Sequence, residues 1–213
     1  IDSKETYFNE CHFSNNTGTG DYSSCIYACN NASLSVLSCT FTGNRGDNLG
    51  GALRIHIEDV NIANCSFIEN TCRKGGSLFV QQLSNFSLSH CVFIGNHALS
   101  DGGAIFIQYE GDISNNNVVI SDCKFESCMS DSFGGVFGSG EEIITDVKSD
   151  INVVFSNCSF IMCSAECGGV FSCKEGSIKQ TKEIINCTFI RCSAKSGSCV
   201  YLLSTSLHMD SCI

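Results

Sequence analysis

The sequence predicts an all-β fold: a right-handed parallel β-helix solenoid of about eight coils, each with three short strands. Three observations predict it. A Cys-x-Phe anchor recurs from one end of the chain to the other, a glycine pair follows it at a nearly fixed distance, and the apolar residues between them alternate with period two.

The anchor occurs at Cys11-His-Phe13, Cys39-Thr-Phe41, Cys65-Ser-Phe67, Cys91-Val-Phe93, Cys123-Lys-Phe125, Cys158-Ser-Phe160 and Cys187-Thr-Phe189, and Cys212 opens an eighth copy. The spacings are 28, 26, 26, 32, 35, 29 and 25 residues. Three residues before the anchor stand Val36, Ile62, Leu88, Ile120, Phe155, Ile184 and Met209. Five before it stand Leu34, Val60, Phe86, Val118, Val153, Lys182 and Leu207. Five after it come Asn16, Asn44, Asn70 and Asn96, then Cys128, Cys163 and Cys192. The glycine pairs are Gly50-Gly51, Gly75-Gly76, Gly102-Gly103, Gly134-Gly135 and Gly168-Gly169, with Gly197-Ser198 in the last copy.

Each period therefore holds three strand-like segments, as in Leu53-x-Ile55-x-Ile57, Val60-x-Ile62 and Cys65-x-Phe67. Helices are disfavoured, because apolar spacing of two puts one face inward on a strand and not on a helix. The phase slips between Ile62 and Cys65, which marks a corner. One such coil cannot bury its inner face alone. Coils stacked about 4.8 Å apart can, and they pile the phenylalanines into a column of offset rings. The asparagines are then placed to bond from coil to coil along a turn. The whole of 1–213 reads as one solenoid, a piece of a longer repeat protein.

These residues resemble a known family. Gly50-Gly51-Ala52-Leu53 and Gly102-Gly103-Ala104-Ile105 look like its G-G-A-[ILV] motif. Phe13-x-x-Asn16, Phe41-x-x-Asn44, Phe67-x-x-Asn70 and Phe93-x-x-Asn96 look like its F-x-x-N motif. They are the repeats of chlamydial polymorphic outer membrane proteins, found also in large surface proteins of some protists. The resemblance implies a pectin-lyase-like β-helix and a role in adhesion. Copies five to seven depart from the pattern, with cysteine in place of asparagine.

Composition narrows the function. A net charge of -10 argues against a nucleic-acid partner and against an anionic membrane surface. No apolar run is long enough for a spanning helix. Seventeen cysteines and six sequons, at Asn15, Asn31, Asn64, Asn85, Asn157 and Asn186, point to the secretory route and an extracellular or cell-surface setting. These six asparagines are the glycosylation candidates. The anchor cysteines read as a column of small buried thiols. Disulfides are expected instead among Cys25, Cys29, Cys72, Cys167, Cys173 and Cys199, or as Cys163–Cys167. Cys-x4-Cys recurs only because the coil recurs, so neither a metal nor a cofactor is expected.

An enzyme on this fold needs paired carboxylates, or a cation that stabilises an enolate. Arg54, His56 and Glu58 alternate on one outward face, with no second acid beside Glu58. The expected function is thus a non-enzymatic secreted or surface solenoid for adhesion, matrix or filament structure, with protein or glycan partners and end-to-end self-association. A carbohydrate-active enzyme and a glycan-binding module are the alternatives. Two contact surfaces suggest themselves. The longer periods add residues between the glycine strand and the next strand, forming a ridge around Glu141, Glu142, Ile143, Ile144 and Asp146. Phe79 and Phe106, outward on adjacent coils, form an aromatic patch.

Overall fold

The computed structural model describes residues 5–21, 24–29, 33–81, 84–109, 117–141, 151–173, 180–203 and 206–213. Every element among them is a strand, and every strand pair is parallel. The chain winds as a right-handed parallel β-helix. Its largest sheet has eight strands, so the described residues make seven coils and the opening strand of an eighth. This is slightly short of the eight coils expected.

Each coil crosses a first sheet (Asp59–Ala63 in the third coil), then a Phe sheet (Ser66–Ile68). It then crosses a short turn sheet (Thr71–Lys74) and a Gly sheet (Leu78–Gln81). Three strands per coil were expected, but five coils have four. The extra strand follows the Asn or Cys turn. It was illegible because it is short and shows little alternation: Met129–Ser130 has two residues, and Ser193–Ser196 is almost wholly exposed.

Two corners flank the Phe strand, and both are left-handed. The residue before each anchor (Glu10, Ser38, Asn64, His90, Asp122, Asn157, Asn186, Ser211) has φ between 52° and 55°. The residue four after it (Asn15, Gly43, Glu69, Gly95, Ser127, Met162, Arg191) has φ between 51° and 64°. A non-glycine residue pays roughly 1–2 kcal/mol for this conformation. The ladder offsets it, since the corner N–H groups still bond to the next coil, as from Asn64 to Ser89 O at 3.1 Å and from Glu69 to Ile94 O at 2.8 Å.

Beyond each corner the backbone N–H is captured by a side chain from the next coil. At the anchor, Cys39 N–H donates to Cys65 Sγ at 3.4 Å, and Cys65 N–H donates to Cys91 Sγ at 3.3 Å. At the second corner, Asn44 N–H donates to Asn70 Oδ1 and Asn70 N–H to Asn96 Oδ1, both at 3.0 Å. An unpaired buried N–H would cost about 1–3 kcal/mol.

The glycine pair divides its work. The first member turns the chain, as Gly102 does with φ 65°. The second member is needed for space: a Cβ on Gly103 would lie 2.1 Å from Gly135 O and 2.5 Å from Met129 O.

The interior is continuous. Phe13, Phe41, Phe67, Phe93, Phe125, Phe160 and Phe189 stack with centroids 4.7–5.3 Å apart and planes within 22° of parallel. In the later coils Phe155 and Phe171 meet this column edge-on, for example Phe160–Phe171 at 5.0 Å and 73°, and Phe137 packs edge-on against both of them. Each such pair contributes about 0.5–1.5 kcal/mol beyond its buried area.

Replacing Phe93 by Ala should cost about 3–5 kcal/mol in urea unfolding. A loss within about 1 kcal/mol would contradict its place in the stack. Gly103→Ala should prevent folding altogether, as read by circular dichroism. Gly20→Ala meets nothing within 4 Å, and its left-handed φ of 101° should cost only about 1 kcal/mol.

Candidate surfaces and interior sites

The Asn column forms as the sequence predicts. Asn44 Nδ2 donates to Asn70 Oδ1 at 3.0 Å and to Phe13 O at 3.0 Å. Asn70 Nδ2 repeats the pattern to Asn96 Oδ1 at 3.1 Å and Phe41 O at 2.9 Å. Where cysteine takes over, the thiol keeps the same partner. Cys128 Sγ donates to Phe93 O at 3.7 Å, Cys163 Sγ to Phe125 O at 3.6 Å and Cys192 Sγ to Phe160 O at 3.5 Å. Asn96 Nδ2 meets Cys128 Sγ at 4.0 Å, joining the two halves of the column. The cysteines are thus shorter substitutes for asparagine, with one donor where the amide has two.

The anchor thiols also donate, Cys39 to Leu37 O at 3.1 Å and Cys123 to Ser121 O at 3.1 Å. Contact with Cys123, then burial, pushes the Cys158 thiol up to about 12. Contact with Cys128, then burial, does the same for Cys163. The protonated form so favoured at Cys158 and Cys163 is a poor nucleophile and metal ligand, whereas a hydrogen bond with Cys91 lowers the pKa of Cys65.

Among the described residues no two cysteines are bridged in this structure. Cys163 points into the interior below Phe125 O, whereas Cys167 pairs in the turn sheet with Ser196. Cys173 receives a hydrogen bond from Ser139 Oγ at 3.7 Å, and Cys199 is half-buried. Also among the described residues, no three His, Cys, Asp or Glu side chains gather as a metal site would.

The aromatic patch is corrected. Phe79 and Phe106 stack at 5.7 Å on the outer side of the Gly sheet, yet they are only 0% and 3% exposed. They belong to a covered column. Arg54 lies 5.1 Å from the Tyr27 ring and 5.9 Å from Phe79, and the Lys74 ammonium lies 4.8 Å from Phe106. Phe106 also leans over Gly138, where a Cβ would come within 3.0 Å of its ring. Of the ridge, Glu141 ends the strand Phe137–Glu141 beside Tyr109, while Glu142, Ile143, Ile144 and Asp146 lie outside the described residues.

Five sequon asparagines, Asn15, Asn64, Asn85, Asn157 and Asn186, are exposed, and Asn31 lies outside the described residues. Asn64, Asn157 and Asn186 occupy left-handed corners, a conformation asparagine tolerates well. Asn186 Nδ2 donates to Asn157 Oδ1 at 2.8 Å, and Asn157 Nδ2 to Asp122 Oδ1 at 3.1 Å.

Two features escaped the sequence reading. On the outer face of the Phe sheet, Ile68, Ile94, Ile161 and Ile190 fall in one row, interrupted by Glu126. Beside it runs a row of Thr40, Ser66, Val92, Lys124, Ser159 and Thr188. The signal was the residue directly after each anchor Phe or Cys, which in-register stacking aligns. The second feature is Lys182, wholly buried in the column of Leu34, Val60 and Val153, with its ammonium 5.7 Å from the Phe137 ring. Burial lowers its pKa.

The outer strand faces are flat rows of like residues, able to meet an extended partner at several repeats at once. The model of the Chlamydia polymorphic membrane protein repeat matches residues 38–55 and 90–108, so these two stretches are similar to that repeat. No curated protein and no solved structure matches.

Substituting Asn70 by Ala should cost about 1–3 kcal/mol, because Phe41 O and the Asn44 N–H both lose a partner. Asn70→Cys should restore part of that loss, as the later coils already use a thiol there. Equal stability of the two variants in urea unfolding would show that the amide, not the donated bond, matters.

Proposed function

We propose that the chain is a non-enzymatic solenoid of the cell surface or extracellular space. It binds protein or glycan partners through the outer face of its Phe sheet. The observation that carries this reading is the row of Ile68, Ile94, Ile161 and Ile190 beside a row of hydroxyl side chains. Ile190 alone is 44% exposed, and Met129 and Met162 add 41% and 44% exposed thioethers at the edge. Apolar and hydroxyl groups in repeated pairs suit sugars and extended peptide segments, which offer the same mixture.

Several facts support the setting. The repeat family is named for membrane proteins, and five sequon asparagines stand exposed. An acidic chain of net charge -10 suits neither nucleic acid nor an anionic bilayer. In this reading 1–213 is one solenoid and end-to-end self-association is among its contacts. Among the described residues no helix is long and apolar enough to cross a membrane, which says nothing of a β-barrel.

The double substitution Ile94→Glu with Ile161→Glu should weaken retention on immobilised glycans and extracellular-matrix proteins at least about tenfold, or about 1.4 kcal/mol. Unchanged retention on every probe would move the contact surface elsewhere. Incubation with polygalacturonate, alginate and chondroitin sulfate should release no new reducing ends. Their release by the wild-type chain would make it a carbohydrate-active enzyme and overturn the proposal.

A further inference from the structure

Inside the later coils four polar side chains converge where the sequence pattern calls for apolar ones. Lys182 comes from the first sheet, and Tyr109, Ser139 and Cys173 come from the Gly sheet. All are buried: Lys182 0%, Tyr109 1%, Ser139 2% and Cys173 2% exposed. Cys173 is the hub. Ser139 Oγ donates to its sulfur at 3.7 Å, and the same sulfur faces the Lys182 amine and acts on its charge. The Tyr109 hydroxyl, wholly buried, has no hydrogen-bond partner among the described residues. The surrounding wall is Phe137, Phe155 and Phe171.

Burial among phenylalanine rings disfavours the charge on Lys182 and lowers its pKa, and the neutral form of its amine is a nucleophile. A thiol beside a neutral amine has a base at hand. We infer that Cys173 and Lys182 form a reversible covalent cross-link when the protein meets a peroxide. The Cys173 thiol passes its proton to Lys182 Nζ, and the thiolate attacks one peroxide oxygen. The O–O bond breaks, and the departing hydroxide takes the proton back from Nζ as water. Sulfur is oxidised by two electrons to the sulfenic acid, and the peroxide is reduced. The neutral amine then attacks that sulfur, forming an S–N bond as the S–O bond breaks, and the second hydroxide leaves as water with the amine's proton. The net change is the loss of two hydrogens, with one peroxide converted into two waters.

The product, a sulfenamide, ties the Gly sheet of the sixth coil to the first sheet of the seventh. In sequence, the two strands are separated there by the stretch between Cys173 and Gln180, at the position where period length varies. The Ser139 hydroxyl holds the sulfur in place, and the apolar wall limits the water that would return the sulfenamide to sulfenic acid and amine.

The test treats the full chain with one equivalent of hydrogen peroxide, alkylates the remaining thiols and maps peptides by mass spectrometry. A linked pair containing Cys173 and Lys182, two hydrogens lighter than its parts and split by dithiothreitol, is the expected result. Lys182→Met fits the apolar column and should abolish the link while leaving the circular dichroism spectrum unchanged. If that variant fails to fold, the wild-type map decides alone. Cys173 recovered alkylated, oxidised without a link, or joined to another cysteine overturns the inference. A linked pair carrying an additional oxygen overturns the S–N chemistry.

Discussion

Everything in this molecule depends on one constraint: each residue must sit above its own counterpart one coil earlier. Parallel pairing in register supplies the backbone bonds, but two corners per coil break the ladder's geometry. There the next coil's side chain closes the gap, sulfur at the anchor and amide oxygen or thiol at the Asn turn. A corner residue is therefore never satisfied by its own coil. This ties the stability of each coil to its neighbours, as expected for a one-dimensional repeat. It also explains where length can vary. From the start of the first-sheet strand to the glycine pair the count hardly changes, and the extra residues of the longer periods fall between the Gly-sheet strand and the next first-sheet strand.

The fold was legible because such stacking writes the same letter at the same phase in every period. Cys, Phe, Asn and Gly are visible for that reason. The left-handed corners were not visible, since Glu69, Met162 and Arg191 occupy them without any shared chemistry. What fixes those positions is the ladder on either side, which forces the turn on whatever residue stands there. The fourth strand was hidden for a related cause: it is too short for alternation to show, and only its neighbours above and below define it. The burial of Phe79 and Phe106 was misread because an outward phase on a strand was taken for exposure. Outward from the core is a statement about the sheet, and a side chain there can still be covered by cations and neighbouring backbone.

The change from asparagine to cysteine halfway along the column reflects the core beside it. The early coils pack Leu, Ile and Val against the Phe stack, whereas later coils add Phe137, Phe155 and Phe171 edge-on. An amide column is a chain of linked dipoles that gains from each further member. A thiol column gives that up but retains the single bond to the Phe carbonyl, in less volume and with more apolar surface. The exchange is consistent with a core growing more aromatic and less polar.

The same stacking that buries the interior also shapes what the exterior can do. A catalytic site needs different groups converging on one point, whereas an in-register solenoid presents identical groups spread along a line. On the Phe sheet, strands about 4.8 Å apart carry a row of isoleucines broken by Glu126 and a row of Ser and Thr broken by Val92 and Lys124. A partner that engages one coil finds the next already placed, so the second contact carries a reduced entropic cost and weak individual contacts add up. Such a surface gains strength with length, which gives a physical reason for repeating the coil rather than refining one.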